Sequence, residues 1–122
     1  WAYKTRSFFA CSWQFPGCRI LDPFGRTLAS TDCYNPAAVA TVNLDRVMAH
    51  LDYNAGKFKE IKRKYGAKIA IDIPANIGSA LIYSLNDKFS AMDVVGEFGV
   101  ELLDDYLRRA EKENSRLRLK IR

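Results

Sequence analysis

The 122 residues carry 48% apolar side chains and a net charge of +5, enough to form one modest core and too apolar for a disordered tail. No apolar run approaches the roughly 20 residues that cross a bilayer, and no charged-then-apolar leader is seen, so a soluble, cytoplasmic protein without membrane contact is expected. Three cysteines, Cys11, Cys18 and Cys33, exclude a fully paired disulfide framework and point to free thiols in a reducing compartment.

In chain order, Arg6 to Trp13 mixes aromatic and small residues as a buried strand does, and Pro16-Gly17 then punctuates it. Cys18 to Leu21 and Arg26 to Ser30 flank Asp22-Pro23-Phe24-Gly25, whose Pro and Gly positions suit a type I turn, so the two runs are predicted to pair as a hairpin. Ala37 to Leu44 is rich in small and β-branched residues and predicts a third strand ended by Asp45.

After Leu44 the periodicity changes. Asn54 is placed to cap a helix running to Tyr65, with Gly66 as its stop and Phe58, Ile61 and Tyr65 as its apolar stripe. Lys68 to Ile73 nearly alternates as a strand does, and Ile77 to Leu85 fits a strand or buried coil. Ser90 and Asp93 form a capping-box pattern with Asp in place of Glu. Met92, Val95, Phe98, Leu102, Tyr106 and Ala110 follow at helical spacing, which predicts a helix over 91–113 that Gly96 and Gly99 kink or delay. The fold class expected is α+β. The composition shifts near residue 48, from a strand-rich part to an extended arm, with no linker or repeat, so 1–122 is taken as a single domain or fragment.

The basic residues fall in two blocks, Lys57, Lys59, Lys62, Arg63 and Lys64, and then Arg116, Arg118, Lys120 and Arg122 after Arg108, Arg109 and Lys112. Neither has interleaved aromatics or zinc-ligand spacing, so both are read as solvated faces and nucleic acid is not an expected partner. His50 is the only histidine, and no C-x-x-C or H-x₃-H spacing offers a metal site. The glycines form no phosphate loop. Neither metal nor cofactor is expected. Glu101, Asp104 and Asp105 are set near Arg108 and Arg109 as i, i+4 pairs that support a helix. Asp72, in an apolar strand, is read as a paired group at a strand end.

Phe15 to Asp45 resembles the closing hairpin of the nitrilase superfamily of carbon–nitrogen hydrolases. The residues that carry this are Gly17-Cys18, Ile20-Leu21, the turn Asp22-Pro23-Phe24-Gly25, the strand Thr27 to Ala29, Ala38 to Val42, and Leu44-Asp45. Tyr3 to Ser12 resembles the strand before it, reached from a helix ending in a basic residue. Asp52-Tyr53 to Tyr65 resembles the tail of ureidopropionase-like members.

The resemblance implies an α-β-β-α sandwich in which residues 1–48 are closing strands of the core and 49–122 a C-terminal extension. The parent would hydrolyse amide, nitrile or carbamyl C–N bonds with a Cys nucleophile, a Glu base and a Lys that stabilises the tetrahedral intermediate. The family places these three upstream of the matched region, so this chain is expected to have no catalytic residues of its own. Cys11-Ser12-Trp13-Gln14-Phe15-Pro16 is a near-miss to the nucleophile motif: one residue short, without the acid or the Arg, and followed by a hairpin turn. A small buried strand residue is the expectation for Cys11.

Three functions follow. The first is a structural and oligomer-contact part of a hydrolase, a dimer by expectation, with the N-terminal part of the hydrolase as a further partner. The second is a free-standing basic α+β module that binds RNA or an acidic partner. The third is a small thiol enzyme using Cys11 or Cys33.

Overall fold

The computed structural model describes residues 1–12 and 17–120 of an α+β chain, divided into two units at Asn43/Leu44. The sequence reading placed the change of character a few residues later, because Arg46–His50 gives no helical signal.

In the first unit, helix α1 (Ala2–Thr5) ends at Arg6 in a left-handed conformation and leads to strand β1 (Phe9–Cys11). Strands β2 (Arg19–Leu21) and β3 (Thr27–Ser30) complete an antiparallel sheet in the order β1-β2-β3. The predicted hairpin forms. The Gly25 N–H donates to the Asp22 carbonyl at 2.8 Å and the Asp22 N–H to the Arg26 carbonyl at 2.9 Å. Gly25 has φ +87°, so a type I turn is followed by a left-handed residue that matches the strand twist. The β2–β3 register shifts at Ile20/Leu21. The strand expected over Arg6 to Trp13 is shorter, and its last residue, like Pro16 and the Phe15-Pro16 of the near-miss motif, lies outside the described residues.

The third strand expected over Ala37 to Leu44 does not form: that segment joins no ladder. Val39 is 87% exposed and Leu44 77%, so its β-branched composition meets no neighbour that would pair with it.

In the second unit, strands β4 (Arg46–His50), β5 (Ile69–Asp72) and β6 (Ser79–Ser84) form an antiparallel sheet in the order β4-β6-β5. Strand β4 went unpredicted: its three central residues are all buried, so it lacks the alternation that marks a half-buried strand. Helix α2 (Ala55–Tyr65) buries Phe58 and Ile61, stops at Gly66 and continues as a 3-10 turn over Gly66–Lys68. Helix α3 (Ala91–Glu97) begins at the expected capping box, with the Asp45 carboxylate also accepting from the Ala91 N–H at 2.9 Å.

The single helix expected over 91–113 is instead two. The Val100 N–H donates to the Val95 carbonyl at 2.9 Å and the Gly99 N–H to the Gly96 carbonyl at 3.2 Å, with Gly99 at φ +58°, which is a Schellman ending. Helix α4 (Leu103–Lys120) starts afresh and runs past the expected end. Met92, expected in the apolar stripe, is 54% exposed. Val47, Ala49, Ile69, Ala80 and Ile82 of the sheet pack with Phe58 and Ile61 of α2 and Ala91, Val94 and Val95 of α3 in the core.

Candidate functional site

The densest polar arrangement lies in the second unit, where the end of β4 meets the turn between α3 and α4. A bridge pairs Ala49 with Leu102, and the His50 N–H donates to the Glu101 carbonyl, extending the sheet edge. Asn54 stands at the start of α2 but does not cap it with its side chain. Instead its amide donates to the carbonyls of His50 at 2.7 Å and Glu101 at 3.0 Å, and its carbonyl oxygen accepts from the Glu101 N–H at 3.2 Å. Asn54 is fully buried, so this amide replaces water for both loops.

Around it, the His50 imidazole stacks on the Tyr106 ring with centroids 3.4 Å apart, and its Nδ1 accepts from the Asp52 N–H at 3.1 Å. Arg109 grips Glu101 through two hydrogen bonds of 2.9 Å and lies 5.2 Å from the Tyr106 ring centroid. That guanidinium holds the Glu101 carboxyl below the usual range. The ion pairs differ in spacing from the i, i+4 expected: Arg108 pairs with Asp105 three residues back, and Arg109 reaches out of its helix to Glu101. Geometry decides this, because Glu101 sits just before the helix, where a fork-shaped guanidinium meets both its oxygens.

As chemistry the arrangement is closed. Ser79 faces His50 across the β4–β6 ladder but is 1% exposed, so substrate does not reach that hydroxyl. The three thiols all belong to the first unit. Cys11, expected to be buried, is exposed at the end of β1, with Sγ 3.5 Å from the Arg19 carbonyl oxygen. Cys18 is half-buried and lines, with Cys11, Thr31 and Pro36, an open concavity of about 310 Å³. Cys33 is exposed in a turn that the Asp32 carboxylate organises by accepting from the Tyr34 and Asn35 N–H groups. Asp72 ends β5 opposite Leu81 and is half-buried. Among the described residues no group of three or more His, Cys, Asp or Glu is placed to hold a metal ion.

Several of the basic residues are engaged. Lys57 donates to the Gly99 carbonyl, Lys62 to those of Gly66 and Ile69, Lys64 pairs with Glu97, and Arg116 with Glu113. Glu97 also accepts from the Tyr65 hydroxyl, and its carboxyl is held below the usual range by Lys64 first and Tyr65 second. Arg122 lies outside the described residues. Beside α2, a groove of about 470 Å³ runs between Phe58 and Ala55 on one side and Ile71 and Ile73 on the other.

What sequence reasoning missed here is Asn54 as a bridge. Local pattern marks it only as a cap, because its partner Glu101 lies 47 positions away. Among the described residues no helix is long and apolar enough to cross a membrane. Comparison with protein-family models, with curated proteins and with solved structures finds no match.

Proposed function

We propose that this chain forms closing strands and a C-terminal tail of a nitrilase-type carbon–nitrogen hydrolase, with a structural and subunit-contact role and without the Glu, Lys and Cys of the reaction. In such a parent, residues 1–48 would belong to an α-β-β-α sandwich whose catalytic residues come from another part of the polypeptide or from a partner.

The observation that carries this reading is a sheet with almost no core. In the first unit every residue of β1 is exposed and so are three of the four in β3. The buried apolar side chains of that unit, among the described residues, are Ala2, Pro23 and Phe24. Tyr34 is 93% exposed. A three-stranded sheet needs an apolar face packed against something to be stable, and a sandwich layer supplied by the rest of a hydrolase is the cover that the closing-hairpin resemblance names. Buried Asp22 supports the same reading: its carboxylate accepts from the Phe24 and Arg26 N–H groups at 2.9 Å and from the Arg26 guanidinium at 2.5 Å, so the D-P-x-G turn is rigid without help. The missing ladder over Ala37 to Leu44 departs from the family pattern, in which a strand ends at Leu44-Asp45. Within the proposal, that strand's neighbour is a further strand of the parent's own sheet.

The test is twofold. The coding sequence upstream of Trp1 is expected to encode a Glu, a Lys and a Cys in that order in one frame. The purified chain is expected to hydrolyse no amide, nitrile or carbamyl substrate, and thiol-dependent turnover abolished by Cys11→Ala would overturn the reading.

A further inference from the structure

The apolar face of β5 runs out from under helix α2. Ile69, Ile71 and Ile73 alternate along that strand and its continuation, and they pass from fully buried through half-buried to 46% exposed. Because β5 is an edge strand of its sheet, no neighbouring strand of the unit covers this end. What is left is the groove of about 470 Å³, lined by Phe58 and Ala55 of the helix and by Ile71 and Ile73. That volume falls within the span of small-molecule sites, about 300–1,000 Å³.

Its other lining residues are Lys59 and Lys62. They stand three apart on α2, so two like charges are neighbours on one helix face and repel. One turn from either, the helix and its stop carry Ala55, Gly56, Phe58, Arg63, Tyr65 and Gly66, none of them acidic. Lys62 donates to the Gly66 and Ile69 carbonyls at 2.8 Å each, which fixes its ammonium without neutralising it and leaves one of three N–H donors. Neither lysine has a carboxylate partner among the described residues, whereas Lys64, further along the same helix, pairs with Glu97. Asp72 alternates with Ile71 and Ile73 and so belongs to the opposite face of the sheet, in register with Leu81.

We propose that this groove binds an anionic amphiphile, an unbranched medium-chain carboxylate, with its alkyl chain along Phe58, Ile71 and Ile73 and its head between Lys59 and Lys62. The alkyl chain takes apolar side-chain surface out of water. The carboxylate offsets the repulsion of the two ammonium groups and accepts from the donor that Lys62 has left. A further strand beside β5 fits less well, because Lys62 already occupies the Ile69 carbonyl at the start of that edge. The site lies wholly in the second unit and is independent of the hydrolase reading.

The experiment is titration of the whole chain with decanoate below its micelle concentration, followed by calorimetry and by backbone amide NMR. Saturable binding of one decanoate per chain is expected, with shifts centred on α2 and on residues 71–73. Decyltrimethylammonium, with the same alkyl chain and the opposite charge, should bind about tenfold or more weakly. Lys59→Glu and Ile73→Glu, both at exposed positions, should each weaken decanoate about tenfold. Lys59→Glu should at the same time tighten decyltrimethylammonium, a gain that a merely misfolded variant would not show. Absence of saturable binding overturns the proposal, as does equal affinity for the two amphiphiles or decanoate binding that both variants leave intact. Shifts centred on β1 to β3 would also overturn it, because they would mark adsorption to the bare sheet of the first unit.

Discussion

Among single residues, Asn54 carries the most structure for its size. Three hydrogen bonds from one fully buried amide hold the β4–α2 turn to the α3–α4 turn. Asn54→Ala leaves two carbonyls and one N–H buried without these partners, so it is expected to destabilise the second unit by about 3 kcal/mol. Urea unfolding followed by far-ultraviolet circular dichroism and tyrosine fluorescence measures this, and a loss below about 1 kcal/mol would mean that water substitutes for the amide. Sequence reading found the right residue for the wrong reason. Asn before a helix is a capping signal, whereas the bonds it makes join segments that no local pattern relates.

Among the elements, helix α3 is where local chemistry and electrostatics meet. Ser90 accepts from the Asp93 N–H at 3.0 Å, and the Asp93 carboxylate accepts from the Ser90 N–H at 2.8 Å and from its hydroxyl. Those bonds hold the Asp93 carboxyl below its ordinary 3.8, the backbone bond being the larger cause. At the other end of the helix, Glu97 is held below its ordinary 4.5 by Lys64 and Tyr65. Both are carboxylates depressed in the folded state. Their contribution is therefore complete above those ordinary values and is lost as the pH falls through the lower folded-state values. The urea midpoint is expected to be flat near neutrality and to fall below about pH 4.5, with Glu97→Gln blunting the upper part of that fall. A pH-independent midpoint down to about pH 3 would refute the linkage. Ser90→Ala should cost about 1 kcal/mol at neutral pH. The capping box was legible because it lies within four residues. The end of α3 was half legible: Gly96 and Gly99 were noticed as costs to one long helix, but the left-handed Gly99 turns that cost into a termination.

For the whole molecule, burial separates the two units. The apolar core cluster consists of second-unit residues, with Ile61, Ile69 and Ile82 at 0% exposure. Local opening follows the density of buried apolar contacts. Amide hydrogen exchange on the full chain is thus expected to be slowest in the central strand β6 and at least about 100-fold faster in β1 and β3. Equal protection in both sheets would show that the first unit is covered in solution by something more than its own residues.

The sequence by itself determined whatever one turn or one helical stripe can encode: the Asp22-Pro23-Phe24-Gly25 hairpin, the Asn54-to-Tyr65 helix with its Phe58 and Ile61 face, the Ser90/Asp93 cap and the α+β class. Those features depend on backbone preferences and on hydrogen bonds between residues a few positions apart. Only the tertiary structure decided that Arg46–His50 is a strand, that Ala37 to Leu44 is not, that Arg109 leaves its helix for Glu101, and that the first sheet lies bare. A strand needs a partner and a face needs a cover. Both are supplied by residues distant in the chain, so the Asp22-Pro23-Phe24-Gly25 hairpin was legible as a turn while its exposure was not.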